Sequence, residues 1–345
     1  MAKVTLFEVA KLANVHPSTA SRALSPTISR EVSEATRLKV LEAATALGYR
    51  PNVVARGLRQ GRTGTIGVVI TDFEHLYNAP VLRGVEVSLE EAGLMPLVAE
   101  THDSSKRLER ALDHLVGRRA DAIIVTAARF GDEPAITKAA QFLPVILAVR
   151  TLPGTRLPTV AHDDFEGGLL AARHLVSLGH RRVAEIGGAR DVSSFVQRRA
   201  GFRAGLKEAG IVELRSEGAA RVPGIEEGYR LACELVEEAA ELPTAVFAHN
   251  DLLAAGAIDA FAEAGLRCPD DISIVGYDDM VLADHLSPPL TTIRLPSFHL
   301  GRLAAELALS LLDKPGTPAP RVALPPELVV RRSTAPVRTV EARVG

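Results

Sequence analysis

Short apolar runs recur along most of this chain, and longer stretches with helical periodicity separate them. The strand-like runs lie at 65–70, 122–126, 145–149, 183–187, 245–248 and 273–276. The amphipathic helical stretches lie at 80–92, 105–116, 166–178, 194–209, 227–239 and 252–264. Continuous apolar strands that alternate with helices of about ten or more residues predict parallel sheets joined by right-handed crossovers.

This alternating region fills most of the chain after residue 62. It approaches the roughly 250–300 residues at which single cores stop growing, so two lobes are predicted. Ligands of open α/β sheets bind beyond the carboxyl ends of the strands. Two lobes that face each other across those ends form a cleft that closes around a small molecule.

The first 62 residues have a different pattern, which predicts three short helices. Thr5 suits the N-cap of a helix over 6–13, Asn14 suits a tight break, and Pro17 suits the first turn of a second helix. A third helix is predicted from 33 to about 47. The apolar positions expected to close its side of a small core are Leu38, Leu41, Ala44 and Leu47.

The second helix carries a polar face with Ser18, Ser21 and Arg22, opposite Ala20 and Leu24. In a helix-turn-helix the start of this helix enters the major groove, where an Arg bridges guanine O6 and N7. A solvated surface is the alternative, and charge argues against it. Residues 1–62 hold ten Lys/Arg and four Asp/Glu, a net charge of +6, whereas the remainder carries −8. A basic headpiece on an acidic body favours DNA as the partner.

The run VTLFEVAKLANVHPSTASRAL resembles the headpiece of the lactose-repressor/galactose-repressor (LacI/GalR) family of bacterial transcription regulators. The similarity continues to about Ser333 through segments such as VFAHNDLLAAGAIDAF and GLRCPDDISIVGYDDM. The resemblance implies base contacts from Pro17, Ser18 and Arg22, and phosphate contacts from Thr19 and Ser21. The remaining headpiece residues expected at the DNA are Thr5, Leu6 and His16, of which His16 stands where the family commonly has a Ser cap.

Residues 52–58, NVVARGL, resemble the hinge of the family. Seven residues with an internal Gly are too few to hold a helix in water, so a flexible linker is one interpretation. The other is a segment that becomes helical only on DNA, where Asn52 and Ala55 make contacts and Leu58 wedges into a minor-groove step. An exposed Leu in a basic linker has no core to join, which favours the second interpretation.

The resemblance implies a body built like periplasmic sugar-binding proteins, with two lobes joined by crossing strands. The expected boundaries are a helix-turn-helix headpiece at 1–50, a hinge at 51–62, an effector domain at 63–335 and a tail at 336–345. Within the effector domain the N-lobe is expected at about 63–162 and 292–323, and the C-lobe at about 163–291 and 324–335. The fold class is thus an all-α headpiece followed by a two-lobed α/β domain with doubly wound parallel sheets.

Carried over by position, the residues expected to bind an effector are Asp72, Phe73, Tyr77, Arg150, Arg198, Asn250 and Asp278. Arg198 has the geometry to fork two hydroxyls or a carboxylate, and Asn250 and Asp278 each follow a predicted strand. Structural alternatives stay open: Asp278 suits the start of a helix, and Arg198 beside Arg199 suits a solvated charge run. Arg150 and Asp163 are expected where the lobes cross.

Two positions depart from the family pattern. Val149 stands where Asp or Asn is common, and Pro223 stands where an aromatic side chain often covers the ligand. Losing a stacking ring makes a purine a weaker expectation, although Phe73, Tyr77 or Phe195 can substitute for it. A sugar or sugar derivative is therefore the default effector.

Catalysis is not expected. The chain has no G-x-S-x-G elbow, no phosphate-binding loop and no dinucleotide motif after the first strand, and no metal or other cofactor is expected. Cys233 and Cys268 form no paired motif and suit a reduced compartment. The rival interpretation is a solute-binding protein of periplasmic type without DNA function. That class needs a secretory signal, whereas residues 1–30 lack an apolar core, and no stretch reaches the ~18 apolar residues of a membrane helix. A bacterial cytoplasmic protein, bound to the nucleoid at its operator, is therefore expected.

One headpiece touches few bases, so a homodimer on a pseudo-palindromic operator is predicted. No heptad repeat follows Ser333, which argues against a tetramer. The expected mechanism is a two-state switch in which effector closure changes whether the two hinges fold into the minor groove together. DNA and effector must then change each other's affinity by the same factor. Repression is the expected outcome; the sign of the effector response is left open.

Overall fold

The computed structural model describes residues 4–24, 32–49, 62–214, 219–220, 222–238, 241–316 and 320–337. The chain divides into two compact units, residues 1–64 and 65–345. The predicted hinge residues Asn52, Ala55 and Leu58 lie outside the described residues, as does most of the predicted tail.

The described part of the first unit contains three helices: α1 (Leu6–Leu12), α2 (Pro17–Ala23) and α3 (Glu34–Ala46). Thr5 starts α1, because its amide donates to Glu8 Oε2 at 2.7 Å in a capping box. Asn14 has a φ of 51°, so the break between α1 and α2 uses the left-handed conformation that Asn tolerates. His16 caps α2 in place of the usual Ser, since its ring Nδ1 accepts the Ser18 amide at 3.3 Å.

The apolar face of α3 agrees with the sequence-based expectation at Ala44 and Leu47 and differs from it at Leu38 and Leu41. Leu38 and Leu41 are 52% and 38% exposed, whereas Val40 is fully buried with Ala43 and Ala44. Both sets fit helical spacing, so periodicity alone does not choose between them. The core of this unit is rich in Ala and Val, including Val9 and Ala10 of α1. Small side chains let short helices approach closely, and the face of α3 with the smallest side chains therefore turns inward.

The second unit contains two sheets. The strands of the first are β1 (Thr65–Ile70), β2 (Met95–Glu100), β3 (Ala122–Val125), β4 (Val145–Val149), β5 (Thr159–His162) and β10 (Arg321–Leu324). The strands of the second are β6 (Val183–Ile186), β7 (Ala245–Ala248), β8 (Ser273–Asp278), β9 (Thr291–Arg294) and β11 (Glu327–Val329). Their orders are β10-β5-β4-β3-β1-β2 and β11-β9-β8-β7-β6. Every pairing is parallel except that of β11 with β9, which confirms the predicted parallel sheets.

Helices alternate with these strands, as the pattern predicted. Those of the first lobe are Asn78–Glu91, Ser105–Gly117, Glu133–Ala140 and Ser297–Asp313. Those of the second lobe are Asp164–Ser177, Ser193–Glu208, Ile225–Glu238 and Asp251–Glu263. None of the described helices is long and apolar enough to cross a membrane.

Helices Asp164–Ser177 and Ser193–Glu208 approach each other backbone to backbone. A Cβ on Gly168 would lie 2.0 Å from the Arg198 carbonyl oxygen, and one on Gly201 would lie 1.8 Å from that of Phe165. Only Gly fits such contacts. This close packing brings Arg198 beside Asp164 and thereby builds one side of the functional site.

Over the residues that the structure describes, the chain passes between the lobes three times. It leaves the first sheet after β5, returns after β9, and leaves again between β10 and β11. Because β9 (Thr291–Arg294) belongs to the second sheet, the return lies after Arg294, later than the predicted position 292. The expected crossover position of Arg150 is also wrong: it follows β4 and leads to β5 of the same sheet. Asp163, directly after β5, does lie at a crossover and accepts the Glu166 amide at 3.0 Å as a helix cap.

Candidate functional site

The carboxyl ends of strands from both sheets surround a cleft between the two lobes. The enclosed volume of the cleft is about 50 Å³, smaller than the ~300–1,000 Å³ of typical small-molecule sites. The side chains that line it are Thr71, Asp72, His75, Tyr77, Asn78, Asp103, Thr126, Val149, Arg150, Ser194, Phe195, Arg198, Val222, Pro223, Asn250 and Asp278. Six of the seven residues expected at the effector are therefore brought together.

Arg198 is held entirely within its own lobe. Its Nε donates to Asp164 Oδ1 at 2.9 Å, a terminal nitrogen lies 3.3 Å from Asp278 Oδ1, and another donates to the His249 carbonyl. The guanidinium also lies over the ring of Tyr277, 3.7 Å from its centroid. Burial opposes the charge, yet Asp164 and then Asp278 hold the pKa of Arg198 above its ordinary value. The guanidinium is thus charged and already compensated.

Asp278 ends β8 with a φ of 105°. Its Oδ1 is buried, lies near Arg198 without hydrogen-bond geometry, and has no other hydrogen-bond partner among the described residues. Burial raises the pKa of Asp278 well above its ordinary value, with Arg198 acting in the opposite direction. Asp251 fixes the following segment, because its Oδ2 accepts the Met280 amide at 2.7 Å and its Oδ1 accepts Thr292 Oγ1 at 2.6 Å.

Asn250 both caps a helix and lines the cleft. Its Oδ1 accepts the Leu253 amide at 2.7 Å and caps helix Asp251–Glu263, and its Nδ2 donates to the Pro223 carbonyl at 3.2 Å. The same Nδ2 lies 3.5 Å from His75 Nε2 on the opposite lobe. The cap fixes the amide orientation, so Asn250 directs its donor into the cleft.

Tyr77 closes the inner end of the first-lobe wall. Its hydroxyl lies 2.8 Å from His162 Nε2, and both residues are buried. His162 Nδ1 has no hydrogen-bond partner among the described residues. Burial, followed by the charge of Arg198, lowers the pKa of His162 to about 3, so the ring is neutral.

The loop after β1 presents Asp72 and His75 to the cleft. Asp72 Oδ1 accepts the His75 amide at 2.7 Å, and Asn78 ties the loop down by donating to the Asp72 carbonyl at 2.6 Å. Phe73 is not among the lining residues and is 60% exposed. Its amide donates to Glu100 Oε1 at 2.7 Å, which holds that position of the loop outside the cleft.

Arg150 reaches the cleft from the loop after β4, where its terminal nitrogen lies 2.6 Å from Asp103 Oδ1. Val149, directly before it, has a φ of 67°, which is strained for a β-branched residue. Asp or Asn tolerates this conformation better, which gives a backbone reason for their frequency at this position in the family.

Contacts between the lobes close the rim of the cleft. Arg129 of the first lobe donates twice to Asp191 of the second, at 2.9 Å and 2.7 Å. Beside this pair the Phe130 amide donates to the Asp191 carbonyl at 2.7 Å, and the Thr151 amide donates to Ser193 Oγ at 2.7 Å.

Sequence reasoning missed several lining residues, chiefly His75, Asn78, Asp103 and Ser194. Asp103 follows β2, a strand that was not predicted; its short apolar run, MPLVAE, is interrupted by Pro96. The available signal was position: each of these residues lies just beyond a strand or at the start of the following helix, where α/β sheets bind ligands.

The described DNA-reading candidates lie on or beside α1 and α2. His16, Ser18 and Arg22 are exposed, and Pro17, Thr19 and Ser21 are half-buried. The Ser18 hydroxyl lies 2.7 Å from His16 Nδ1, and Arg22 Nε donates to the Ser18 carbonyl at 3.4 Å. Thr5 and Leu6 lie at the start of α1, where Thr5 Oγ1 donates to Glu8 at 2.9 Å.

No group of His, Cys, Asp or Glu among the described residues is arranged to hold a metal ion. His174 and His180 instead contact the C-terminal segment, at Thr334 Oγ1 and the Ala335 carbonyl.

Comparison with known proteins agrees with this two-part architecture. Residues 5–52 match the family model described as bacterial regulatory proteins, lacI family, and residues 172–334 match a periplasmic binding protein-like domain. The HTH-type transcriptional repressor PurR of Mannheimia succiniciproducens is 33% identical across 95% of this chain and 98% of its own. The chain belongs to the LacI family.

Solved structures of LacI-family proteins extend the comparison to the whole fold. The Lac repressor dimer bound to operator and the anti-inducer ONPF has a TM-score of 0.84 at 28% identity, covering 97% of this chain and 100% of that chain. The transcriptional regulator CelR in complex with cellobiose has a TM-score of 0.73 at 31% identity, covering 96% and 100%. These relatives are transcriptional regulators rather than enzymes.

Proposed function

We propose that this LacI-family protein is a repressor that binds a pseudo-palindromic operator as a dimer and responds to a small, sugar-like effector in the cleft between its lobes. The observation that carries the proposal is the convergence of Arg198, Asn250 and Asp278 on one cleft, in a chain that also carries the helix-turn-helix. The expected organisation is a headpiece at 1–50, a hinge at 51–62 and an effector domain at 63–335.

Charge and exposure support the DNA half of this proposal. Residues 1–62 carry a net charge of +6, while the remainder carries −8. Ser18 and Arg22 are exposed on α2, as a helix that enters the major groove requires. We also predict that residues 52–58, including Leu58, act as a hinge that becomes helical only on DNA.

The effector half rests on the chemistry of the cleft. Carboxylate, amide and guanidinium groups surround it, and Phe195 and Tyr77 supply aromatic walls. Polar groups that read hydroxyls next to rings that cover apolar sugar faces suit a saccharide. CelR, a structural relative, binds the disaccharide cellobiose.

The test begins with selection of bound sequences from a pool of random DNA duplexes at fixed moderate salt. We expect a palindrome with two half-sites about one helical turn apart. The affinity for that operator is then measured with each member of a panel of sugars and nucleosides. Arg22→Ala should lose operator affinity, while a surface control such as Lys138→Ala should keep it.

Two results would contradict the proposal separately. If no sequence is enriched with or without the panel, the headpiece does not read DNA. If a nucleoside and no sugar changes operator affinity, the effector class is wrong although the regulator function stands.

A further inference from the structure

The ionisable side chains in and directly behind the cleft are unequal in number. Three guanidinium groups, those of Arg129, Arg150 and Arg198, are accompanied by five carboxylates. The carboxylates belong to Asp72, Asp103, Asp164, Asp191 and Asp278. The residues that line the cleft within the described part of the chain include no lysine. The question is whether either lining arginine keeps charge to offer an anionic ligand.

Arg150 does not. Its terminal nitrogen lies 2.6 Å from Asp103 Oδ1, and the two side chains are only 10% and 8% exposed. Burial acts to protonate Asp103, but Arg150 and then Arg129 hold the pKa of Asp103 below its ordinary value. The carboxylate is therefore ionised and compensates Arg150, while Arg129 is in turn compensated by Asp191.

Arg198 is compensated more completely. Asp164 and Asp278 occupy two edges of the guanidinium at 2.9 Å and 3.3 Å, and a backbone carbonyl occupies a third position. The rings of Tyr277 and Phe195 lie 3.7 Å and 5.3 Å from its central carbon. A phosphate that approached this guanidinium would have to displace a buried carboxylate or lie against one, and like charges brought together in this way are strongly unfavourable.

What the cleft does offer is hydrogen-bond acceptors. Asp278 Oδ1 is buried and has no hydrogen-bond partner among the described residues. Asp72 presents a second carboxylate, of which one oxygen already accepts the His75 amide. Hydroxyl groups donate to such oxygens without bringing charge. A cationic group that approached Asp278 would lie against Arg198, which already occupies that carboxylate.

We propose that the cleft selects a neutral effector rich in hydroxyl donors and excludes compounds that carry phosphate or carboxylate. This inference rests on the proposed effector role of the cleft and narrows it: free sugars and their neutral derivatives bind, whereas sugar phosphates and sugar acids do not. The excluding groups are Asp103, which neutralises Arg150, and the Asp164 and Asp278 pair, which neutralises Arg198.

The first experiment needs no known effector. The thermal unfolding midpoint of the full chain is measured against sodium phosphate and against sodium chloride at equal ionic strength and pH. Phosphate stabilises folded proteins through its exclusion from their surface, so we expect a rise that does not saturate and that is the same in the wild type, Arg150→Ala and Arg198→Ala. A saturable rise in the midpoint that is specific to phosphate and disappears in Arg150→Ala or Arg198→Ala would overturn the proposal.

A second variant is expected to create the phosphate binding that the wild type lacks. Asp103→Asn keeps the size of the side chain but leaves Arg150 uncompensated, so phosphate should now raise the midpoint with at least tenfold stronger apparent binding than in the wild type. Asp113→Asn, which removes a carboxylate from an exposed pair with Lys138, is the matched control and should show no gain. If Asp103→Asn folds and shows no gain, charge compensation is not what excludes anions.

A third measurement covers the case in which Asp103→Asn fails to fold. Operator affinity is measured with paired probes, ribose against ribose 5-phosphate and cellobiose against its aldonic acid. A response to an anionic member that equals or exceeds that of its neutral partner contradicts the exclusion. Loss of response to every probe counts against the proposed function, and the phosphate titration on the wild type still decides the exclusion.

Discussion

The two walls of the cleft are built in different ways. On the second lobe, Arg198, Asn250 and Asp278 are 4%, 1% and 7% exposed, and each is fixed by contacts with its own lobe or caps a helix. On the first lobe Tyr77 and Arg150 are also buried, but the loop after β1 is more open: Asp72 and His75 are half-buried and Phe73 is 60% exposed.

This difference indicates what each wall contributes to ligand recognition. A wall whose polar groups are fixed before binding lowers the entropy cost of association and sets a constant geometry. A loop held by a few backbone hydrogen bonds adjusts to its ligand at small cost. We therefore expect the second-lobe wall to supply affinity and the first-lobe loop to adapt the cleft to a particular effector.

The largest expected effect comes from removing the partner of the buried arginine. Asp164→Ala leaves Arg198 buried without its closest carboxylate, and loss of one member of a buried pair typically costs about 3–5 kcal/mol. Asp72→Ala, in the opposite wall, removes one turn hydrogen bond and should cost about 1 kcal/mol or less. Urea unfolding of both variants checks this, and equal losses would mean that the walls are equally rigid.

The second effect is a pH dependence behind the first-lobe wall. The pKa of His162 is lowered to about 3, whereas a histidine in the unfolded chain titrates near 6.5. Between these values the unfolded state binds the extra proton, so the free energy of unfolding falls as pH decreases, by about 1.4 kcal/mol per pH unit for this group. His162→Gln removes this contribution.

Urea unfolding at pH 7.5, 6.0 and 5.0 tests that sign. The stability advantage of the wild type over His162→Gln should shrink as the pH falls below about 6.5. A difference that stays constant over this range would show that His162 is accessible to protons in the folded state. Taking the difference between the two proteins cancels the titration of the other buried groups.

A smaller effect concerns the contacts that join the walls at the rim. Asp191→Asn weakens the pair with Arg129, and because Asp191 is 48% exposed the loss should be about 0.5–1 kcal/mol. A loss of that size shifts the equilibrium between closed and open lobes about two- to fivefold toward the open state. Amide exchange at Phe130 and Thr151, both of which donate across the lobes, should accelerate by the same factor.

Lys138→Ala is the control for this measurement, because it breaks an exposed ion pair within the first lobe. It should leave both exchange rates unchanged. Unchanged rates in Asp191→Asn as well would show that the backbone contacts alone hold the rim together.

The smallest effect is expected at Phe73. Because this side chain is mostly exposed and is not among the lining residues, Phe73→Ala should change stability by less than about 0.5 kcal/mol. The effector concentration that produces half of the maximal change in operator affinity should also stay the same. A large shift in that concentration would show that the loop after β1 rearranges to bring Phe73 over the effector.

Much of the fold was predictable because its signal is local. All six predicted strand runs correspond to observed strands, and each predicted helical stretch overlaps an observed helix. β2, β5, β9, β10 and β11 were missed, since very short runs, and in β2 a run interrupted by Pro96, give little periodic signal. In α3, Ala44 and Leu47 were assigned to the core correctly, but Leu38 and Leu41 were chosen instead of Val40 and Ala43, because both sets fit helical spacing and only packing against α1 and α2 separates them.

The candidate site, too, was predictable only in part. Arg198, Asn250 and Asp278 were predicted from the family resemblance, and Asn250 and Asp278 also follow a predicted strand along the chain. His75 and Asp103 were not predicted, and neither was the use of Asp164 to neutralise Arg198. These depend on side chains that are distant in sequence and meet only after the sheets form.

The pattern of residues was thus sufficient for the helix-turn-helix, the parallel sheets and the position of the cleft, since periodicity and capping act over a few neighbouring residues. Only the tertiary structure decided the electrostatic character of that cleft. Asp164 precedes Arg198 by 34 positions and Asp278 follows it much later. The charge of Arg198 is compensated because helix packing across Gly168 and the end of β8 place all three side chains together in a buried site. There, at low effective dielectric, a guanidinium must be paired to remain charged.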